Sequence, residues 1–437
     1  MKIDFNSLST EDHYDFCIIG TGPAGITCAL KLASSNKKVL LLEAGTDEIT
    51  ENSQNVYNGQ TTGDEYFDLS VSRLRFFGGT SNHWGGYCRT LDACDFEQKG
   101  NFDTAWPISR KDIDGYLEEA SEILEIDQIK PDIPFGNSGF NFTNFVFSPP
   151  VRFLDKYYTT VINEKNITLV LEANVTSIDS DGSRITGALI ENYAGEKNRV
   201  NANTFILATG GIENSRLLLW SNAVSNGAVV KNSTTLGKYW MEHPTFTIGS
   251  AIIDKKALSA VDPNRSFYMA PNAQTINNNN ILNCGIRINP TPYKGTKKLL
   301  SDLLCVAPNL ARSMLDLVDR QLSCGFQVRA SWEQLPVASN CITLGNQKDR
   351  FGVPRTNLHW EKTKTDYSTA RKSLMLLGEY LAEKDIGRVV INRWLLEDDE
   401  SPSNDELAGN HHMGGTRMAE SAHKGIVDKN CKVFGQE

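Results

Sequence analysis

The sequence predicts an α/β fold: a doubly wound, Rossmann-like parallel sheet into which a mixed α+β unit is inserted. Three observations carry this expectation. A glycine turn, "GTGPAG", joins an apolar run to a helix-patterned run near the start of the chain. A second apolar run ending in glycines, "TFILATGG" (Thr204–Gly211), follows several short alternating segments. After about residue 247 the character changes, and strand-like segments mix with amphipathic ones.

The elements follow in order. "YDFCII" at 14–19 reads as a buried strand, "ITCALKLASS" as a helix, and "KVLLLEAG" at 38–45 as a second strand. Strand, glycine turn, helix, strand is the first half of a parallel doubly wound sheet. Residues 46–110 show no clear periodicity, and a loop of that length is usually functional. Their aromatic residues argue against disorder. Ser109 and Asp112 fit a capping box. It opens a helix with Ile113, Tyr116, Leu117, Ala120, Ile123 and Leu124 on its apolar face. Short strands separated by Asp181-Gly182 and Ala194-Gly195 predict an antiparallel meander over 166–208. A helix from about Glu213 to Trp220 follows. Beyond it come a helix over 299–322 broken at Pro308, and an amphipathic run with Leu374, Leu377 and Leu381 on one face.

Composition narrows the function. The chain has 437 residues, 40% hydrophobic and 22% charged, which is ordinary for a globular protein of two or three units. A net charge of −9 argues against a nucleic-acid footprint or a polybasic membrane patch. Nine cysteines without a C-x-x-C pair indicate neither a zinc site nor a disulfide framework. The opening "MKIDFNSLSTED" lacks a secretory apolar core, and no long apolar run suggests a membrane span. A cytoplasmic location is expected, with export on a partner left open. No His, Asp and Glu set has metal-ligand spacing along the chain. No G-x-S-x-G nucleophile signature is present.

Gly20, Gly22, Pro23, Ala24 and Gly25 form a G-x-G-x-x-G between strand and helix, and Glu43 ends the next strand. Glycines let the backbone approach a pyrophosphate, the helix N-terminus offers free N–H groups, and Glu43 is placed to accept ribose hydroxyls. A glycine turn that merely packs strand on helix is the bland alternative. The motif itself does not separate FAD from NAD. Ala208, Thr209 and Gly210 resemble a second FAD-contacting segment, although an ordinary strand with a glycine turn has the same look.

"RFFGGTSNHWGGYCRTLDACDF" (Arg75–Phe96) resembles the flavin-side loop of the glucose–methanol–choline (GMC) oxidoreductases, especially their bacterial and pyranose-2-oxidase-like branches. "AWPISRKDIDGYLEEA", "LGKYWMEHP", "EQLPVASNCITLG", "DRFGVPRTNLHW" and "HHMGGTRM" resemble later segments in the family's order, so the likeness spans about 14–435. It implies an FAD-binding domain over 1–247, with the flavin loop at 75–96 and the meander at 166–208. It also implies a substrate domain over 248–408 and a return to the FAD domain over 409–437. Gly78, Gly79, Ser81, Asn82, His83 and Trp84 would contact the flavin, and Ala44, Arg75 and Val175 join the cofactor set. A pyranose-oxidase-like loop would bond the flavin to His83. Asn82 stands where that branch has threonine, so His83 either bonds the flavin or only contacts it.

The same resemblance makes the chain an oxidoreductase of the CH–OH group of an alcohol, sugar or polyol. His412 would take the hydroxyl proton while hydride passes to flavin N5, and His411 would orient the loop or touch substrate. The electron acceptor is left open among oxygen, a quinone and a cytochrome. His243 reads as structural, His359 as a satisfied sheet residue, and His13 and His423 as solvated. The family continues past the equivalent of Cys431–Gly435 into an Asn-Pro-Thr helix that this sequence does not contain. That departure predicts weak FAD retention and low activity, with a degenerate flavin-binding homologue as the alternative.

Overall fold

A computed structural model describes residues 1–291, 325–397 and 409–437, with single positions at 295–297, 299, 303 and 307. The broken helix expected over 299–322 lies, apart from those positions, outside the described residues, as do Cys305 and Cys324.

The five-stranded parallel sheet runs in the order Lys2–Ile3, Ile167–Val170, Val39–Leu42, Phe16–Ile19, Thr204–Leu207. Cys17 pairs with Leu40 on one side and Phe205 on the other. All four residues of Val39–Leu42 are buried, as a strand covered on both faces requires. On one face the helices Pro23–Ser34 and Phe153–Asn163 pack Ile26, Ala29, Ala33 and Val161 against Ile18, Val39 and Leu41. On the other face Ala188, Ile190 and Val200 cover Cys17, Ile19, Leu40 and Leu42. Fully burying each large aliphatic side chain here contributes about 1.5–3 kcal/mol.

The meander differs from its expected outline. Ile167–Val170 joins the parallel sheet, and the antiparallel part is Asn174–Ser180, Ile185–Glu191 and Lys197–Val200. The apolar stretch from 167 to 178 is interrupted at Glu172, whose φ of 57° turns the chain out of the strand. The single helix expected after Ser109 is two, Arg110–Asp114 and Leu117–Leu124. The capping box forms as expected. Gly115, a poor helix former, then ends the first turn and leaves Tyr116 exposed.

A second, seven-stranded antiparallel sheet has Thr245–Ile253, Phe326–Trp332, Cys284–Pro290 and Phe267–Pro271 at its centre. Its far edge takes Phe140–Thr143 and Ile133–Pro134 from the earlier part of the chain. The helix Lys364–Glu383 lays Ala370, Leu374, Leu377 and Leu381 on this sheet, the face its periodicity predicts. A third sheet joins Cys341–Lys348, Pro354–Trp360 and Gly59–Gly63. Among the described residues, no helix is long and apolar enough to cross a membrane.

Candidate active site

The parallel strands end at a cleft of about 500 Å³, within the range of small-molecule sites. Gly20, Gly22, Pro23, Ala24, Glu43, Ala44, Arg75, Gly79, Val175, Ala208, Thr209, Gly210 and His412 all line it. The three motif glycines have distinct jobs. Gly20 has a φ of 103°, and a Cβ there would meet the Ala208 carbonyl oxygen at 2.6 Å. A Cβ on Gly25 would meet the Gly20 carbonyl oxygen at 1.9 Å, so this glycine packs helix on strand. Gly22 has nothing within 4 Å of its would-be Cβ and leaves the cleft floor open. Pro23 at the first helical position costs no hydrogen bond.

Glu43 is buried. Its Oε1 accepts the Gly45 N–H at 2.8 Å, and its Oε2 accepts the Thr21 N–H at 3.1 Å and the Thr21 hydroxyl. A carboxylate has about four acceptor positions, so capacity remains for ribose hydroxyls. Arg75 donates to Asn174 and to the Tyr193 hydroxyl, at 2.8 and 2.9 Å, beside Val175. Thr209 is pinned by its hydroxyl to Asn214 at 2.6 Å.

Gly25, Gly78, Ser81, Asn82, His83, Trp84 and His411 stand outside the cleft lining. Several of them shape the loop instead. Ser81 donates to the Gly78 carbonyl at 2.7 Å, Asn82 to Phe77 at 2.8 Å, and the Trp84 indole to Val151 at 2.8 Å. Asn82 thus fastens the turn between Phe77 and the helix at Phe153–Asn163. His83 is exposed, and partial desolvation of its ring, with the nearby Arg152 charge, holds its pKa below the usual imidazole value.

The C-terminal histidines occupy the other end. Gly414 and Gly415 have φ of 79° and 70°. A Cβ on Gly414 would meet the Tyr239 carbonyl oxygen at 1.9 Å, so only glycine lets this segment close on 238–241. That closure alternates the side chains. His412 turns to the cleft beside Trp240, with ring centroids 5.7 Å apart. His411 turns away and places Nδ1 2.7 Å from His243 Nε2. Nε2 of His412 lies 2.9 Å from the Tyr66 hydroxyl, which donates to Glu242 Oε2 at 3.1 Å. Oε1 of Glu242 accepts the His243 and His411 backbone N–H groups at 2.9 and 3.1 Å. Burial, with Arg73 and His411 adding to it, lowers His412 to about 3, and burial raises Glu242 to about 7. Burial and the Glu242 carboxylate push the Tyr66 phenol up.

Tyr66, Glu242 and Trp240 were not singled out by sequence reasoning, because they meet His412 from 346, 170 and 172 residues away. Arg73 was missed as well. It lines the cleft, pairs with Glu213 at 2.9 Å, and lies over the Tyr57 ring. So was Asn410, whose buried Oδ1 has no partner among the described residues and which sits on the cleft wall. His359 is satisfied by Thr62 at 3.0 Å. Folding also brings ligand-type atoms of Glu242, His243 and His411 within 4.8 Å of one another, which their chain spacing did not suggest. Those atoms are already engaged: Oε1 with two backbone amides, and the two ring nitrogens with each other.

Comparison with known proteins agrees with this architecture. Residues 15–340 match the family described as FAD dependent oxidoreductase, and residues 336–437 match that described as GMC oxidoreductase. A 2-methyl-1,2-propanediol dehydrogenase of Mycolicibacterium austroafricanum is 23% identical over 505 aligned positions, covering 96% of this chain and 88% of the relative. The fructose dehydrogenase large subunit of Gluconobacter japonicus is 23% identical over 291 positions, covering 62% of this chain and 48% of that subunit. Pyridoxine 4-oxidase from Mesorbium loti shares the fold, with a TM-score of 0.54 at 15% identity, over 97% of this chain and 92% of that structure. The chain belongs to the FAD-dependent oxidoreductases, of the GMC type.

Proposed function

We propose that this enzyme oxidises the CH–OH group of an alcohol, sugar or polyol, with His412 as the acceptor of the hydroxyl proton and His411 beside it. The observation that carries the reading is His412 on the wall of the same cleft as the dinucleotide motif. The residues there fit FAD. Gly20, Gly22 and Ala24 leave backbone at the cleft floor, Glu43 keeps acceptor capacity for ribose, and the orphaned Asn410 Oδ1 awaits a donor. Ala44, Arg75, Val175, Ala208, Thr209 and Gly210 complete the walls. When bound, FAD supplies the two-electron acceptor. Residues 1–247 with 409–437 would hold it, and 248–408 would face the donor.

The chain's own work is to hold a neutral imidazole against a dry wall. Burial keeps His412 unprotonated across the working pH range, so a lone pair is always available. Its Nε2 is taken by Tyr66, which leaves Nδ1 for the substrate hydroxyl. Trp240, Trp360 and Tyr66, all buried, exclude water from behind the ring. The names of the two curated relatives, a propanediol dehydrogenase and a fructose dehydrogenase, support a hydroxyl-bearing donor. The test is anaerobic bleaching of the flavin band by a panel of polyols and sugars. His412→Ala is expected to slow bleaching on the order of 10²–10⁴-fold while bound flavin is retained. Equal rates in the two proteins would remove His412 from the reaction.

A further inference from the structure

The buried carboxylate behind His412 has a job that a base alone leaves undone. An imidazole whose pKa lies near 3 can take a proton but cannot keep it at neutral pH. The proton needs somewhere to go that is not the cleft.

We infer that Glu242 is a positioning residue of the oxidation that receives this proton through Tyr66, along the chain His412 Nε2, Tyr66 hydroxyl, Glu242 Oε2. The inference rests on the reading of His412 as proton acceptor. Before reaction, ionised Glu242 accepts from Tyr66, so the Tyr66 oxygen accepts from Nε2–H, and Nδ1 carries the lone pair. The substrate hydroxyl proton passes to Nδ1. The Nε2 proton then moves to the Tyr66 oxygen as the Tyr66 proton moves to Glu242. Afterwards Glu242 is a neutral acid donating to Tyr66, and Tyr66 donates to a bare Nε2. Both arrangements use the same two hydrogen bonds, so no heavy atom has to move. The three-member chain gains one proton, and no charged imidazolium persists.

The surroundings favour this. Glu242 is 2% exposed and Tyr66 is 8% exposed, and burial favours the neutral acid. Backbone amides of His243 and His411 hold Oε1, while Oε2 is the oxygen in contact with the Tyr66 hydroxyl. The groups facing the carboxylate from packed elements are Tyr66, His412 at 4.0 Å, and His243 at 4.0 Å. The Gln334 side chain accepts from the Glu242 backbone. Arg73 adds positive charge that opposes a cationic His412. His243, the other imidazole near the carboxylate, has its Nε2 engaged with His411.

The test uses the full chain with FAD bound and ¹⁵N-labelled histidine. The His412 nitrogen signals should change tautomer, from Nε2–H to Nδ1–H, as pH falls through about 7, without an imidazolium signal. An infrared carboxylic-acid band should appear with the same midpoint and be absent in Glu242→Gln. Glu242→Gln is expected to lose the tautomer change and to slow anaerobic flavin reduction on the order of tenfold, less than loss of the base itself. Tyr66→Phe should uncouple the two titrations, and it carries the test if Glu242→Gln does not fold. A His412 tautomer that ignores Glu242 titration, or wild-type pH profiles in both variants, would overturn the relay. If His412→Gln reduces its flavin normally, the reading of His412 falls and the relay falls with it. If His412→Gln is inactive while both other variants behave as wild type, the relay alone falls.

Discussion

Two buried carboxylates stand at the two ends of the site: Glu43 on the cleft wall, and Glu242 behind His412. Glu43 is held by Thr21 and Gly45, partners within 22 residues of it along the chain. Glu242 is held by His411 and Tyr66, partners 169 and 176 residues away. Glu43 follows from one strand–turn–helix–strand unit that folds on its own pattern. Glu242 acquires its surroundings only when the C-terminal segment returns to 238–241 and the 64–69 loop closes over it. The difference teaches that a local motif builds one corner of the cleft, whereas the corner proposed to react is set by closures between distant segments.

The comparison breaks most visibly at the dinucleotide end. Gly25→Val drives a side chain into the Gly20 carbonyl and should destabilise the protein by about 3 kcal/mol, with loss of bound FAD. Gly22→Ala points a methyl into open cleft, so it should fold normally and only weaken FAD binding. Thermal melts with and without added FAD separate the two, and equal melts in both variants would contradict the assigned glycine roles. At the histidine end, Tyr66→Phe removes the hydroxyl shared by Glu242 and His412 and should cost about 1–3 kcal/mol. A melting temperature unchanged from wild type would show that the network is not formed.

A smaller effect concerns pH. His412 is lowered from 6.5 to about 3, so the stability of its neutral form is complete above 6.5 and is lost as pH falls toward 3. Glu242 is raised from 4.5 to about 7, so its contribution is complete below 4.5 and is lost as pH rises through 7. Thermal stability should therefore peak between the two. His412→Gln should flatten the acid limb and Glu242→Gln the alkaline limb, as read from melts across pH. The smallest effect is expected at His83, exposed and outside the cleft lining. His83→Ala should change stability by less than about 0.5 kcal/mol. Acid precipitation should release the yellow colour from both proteins, and retained colour in wild type alone would make His83 the attachment point.

Much of the fold was legible because its signals are local. Val39–Leu42 is apolar at every position, and Leu374, Leu377 and Leu381 repeat at helical spacing. Where the periodicity misled, a single backbone feature was responsible. Glu172 bends one apparent strand into two, and Gly115 divides one apparent helix. Edge pairing was not legible either. Nothing in Ile133–Pro134 or Phe140–Thr143 announces that they extend a sheet whose centre lies more than 100 residues further on.

By itself, the sequence determined the dinucleotide corner, the order of the family's segments, and the glycine pair that lets His411 and His412 approach the body of the protein. Those depend on backbone freedom and on side chains a few residues apart. The family resemblance already favoured His412 over His411, and the tertiary structure supplies the physical reason that His412 faces the cleft, because the bridge between Met241 and Met413 sets the alternation. Only the tertiary structure decided that Tyr66 and Glu242 stand behind His412. Hydrogen bonds across more than 160 residues become possible only after the loops between them have closed, and no spacing in the chain records that closure.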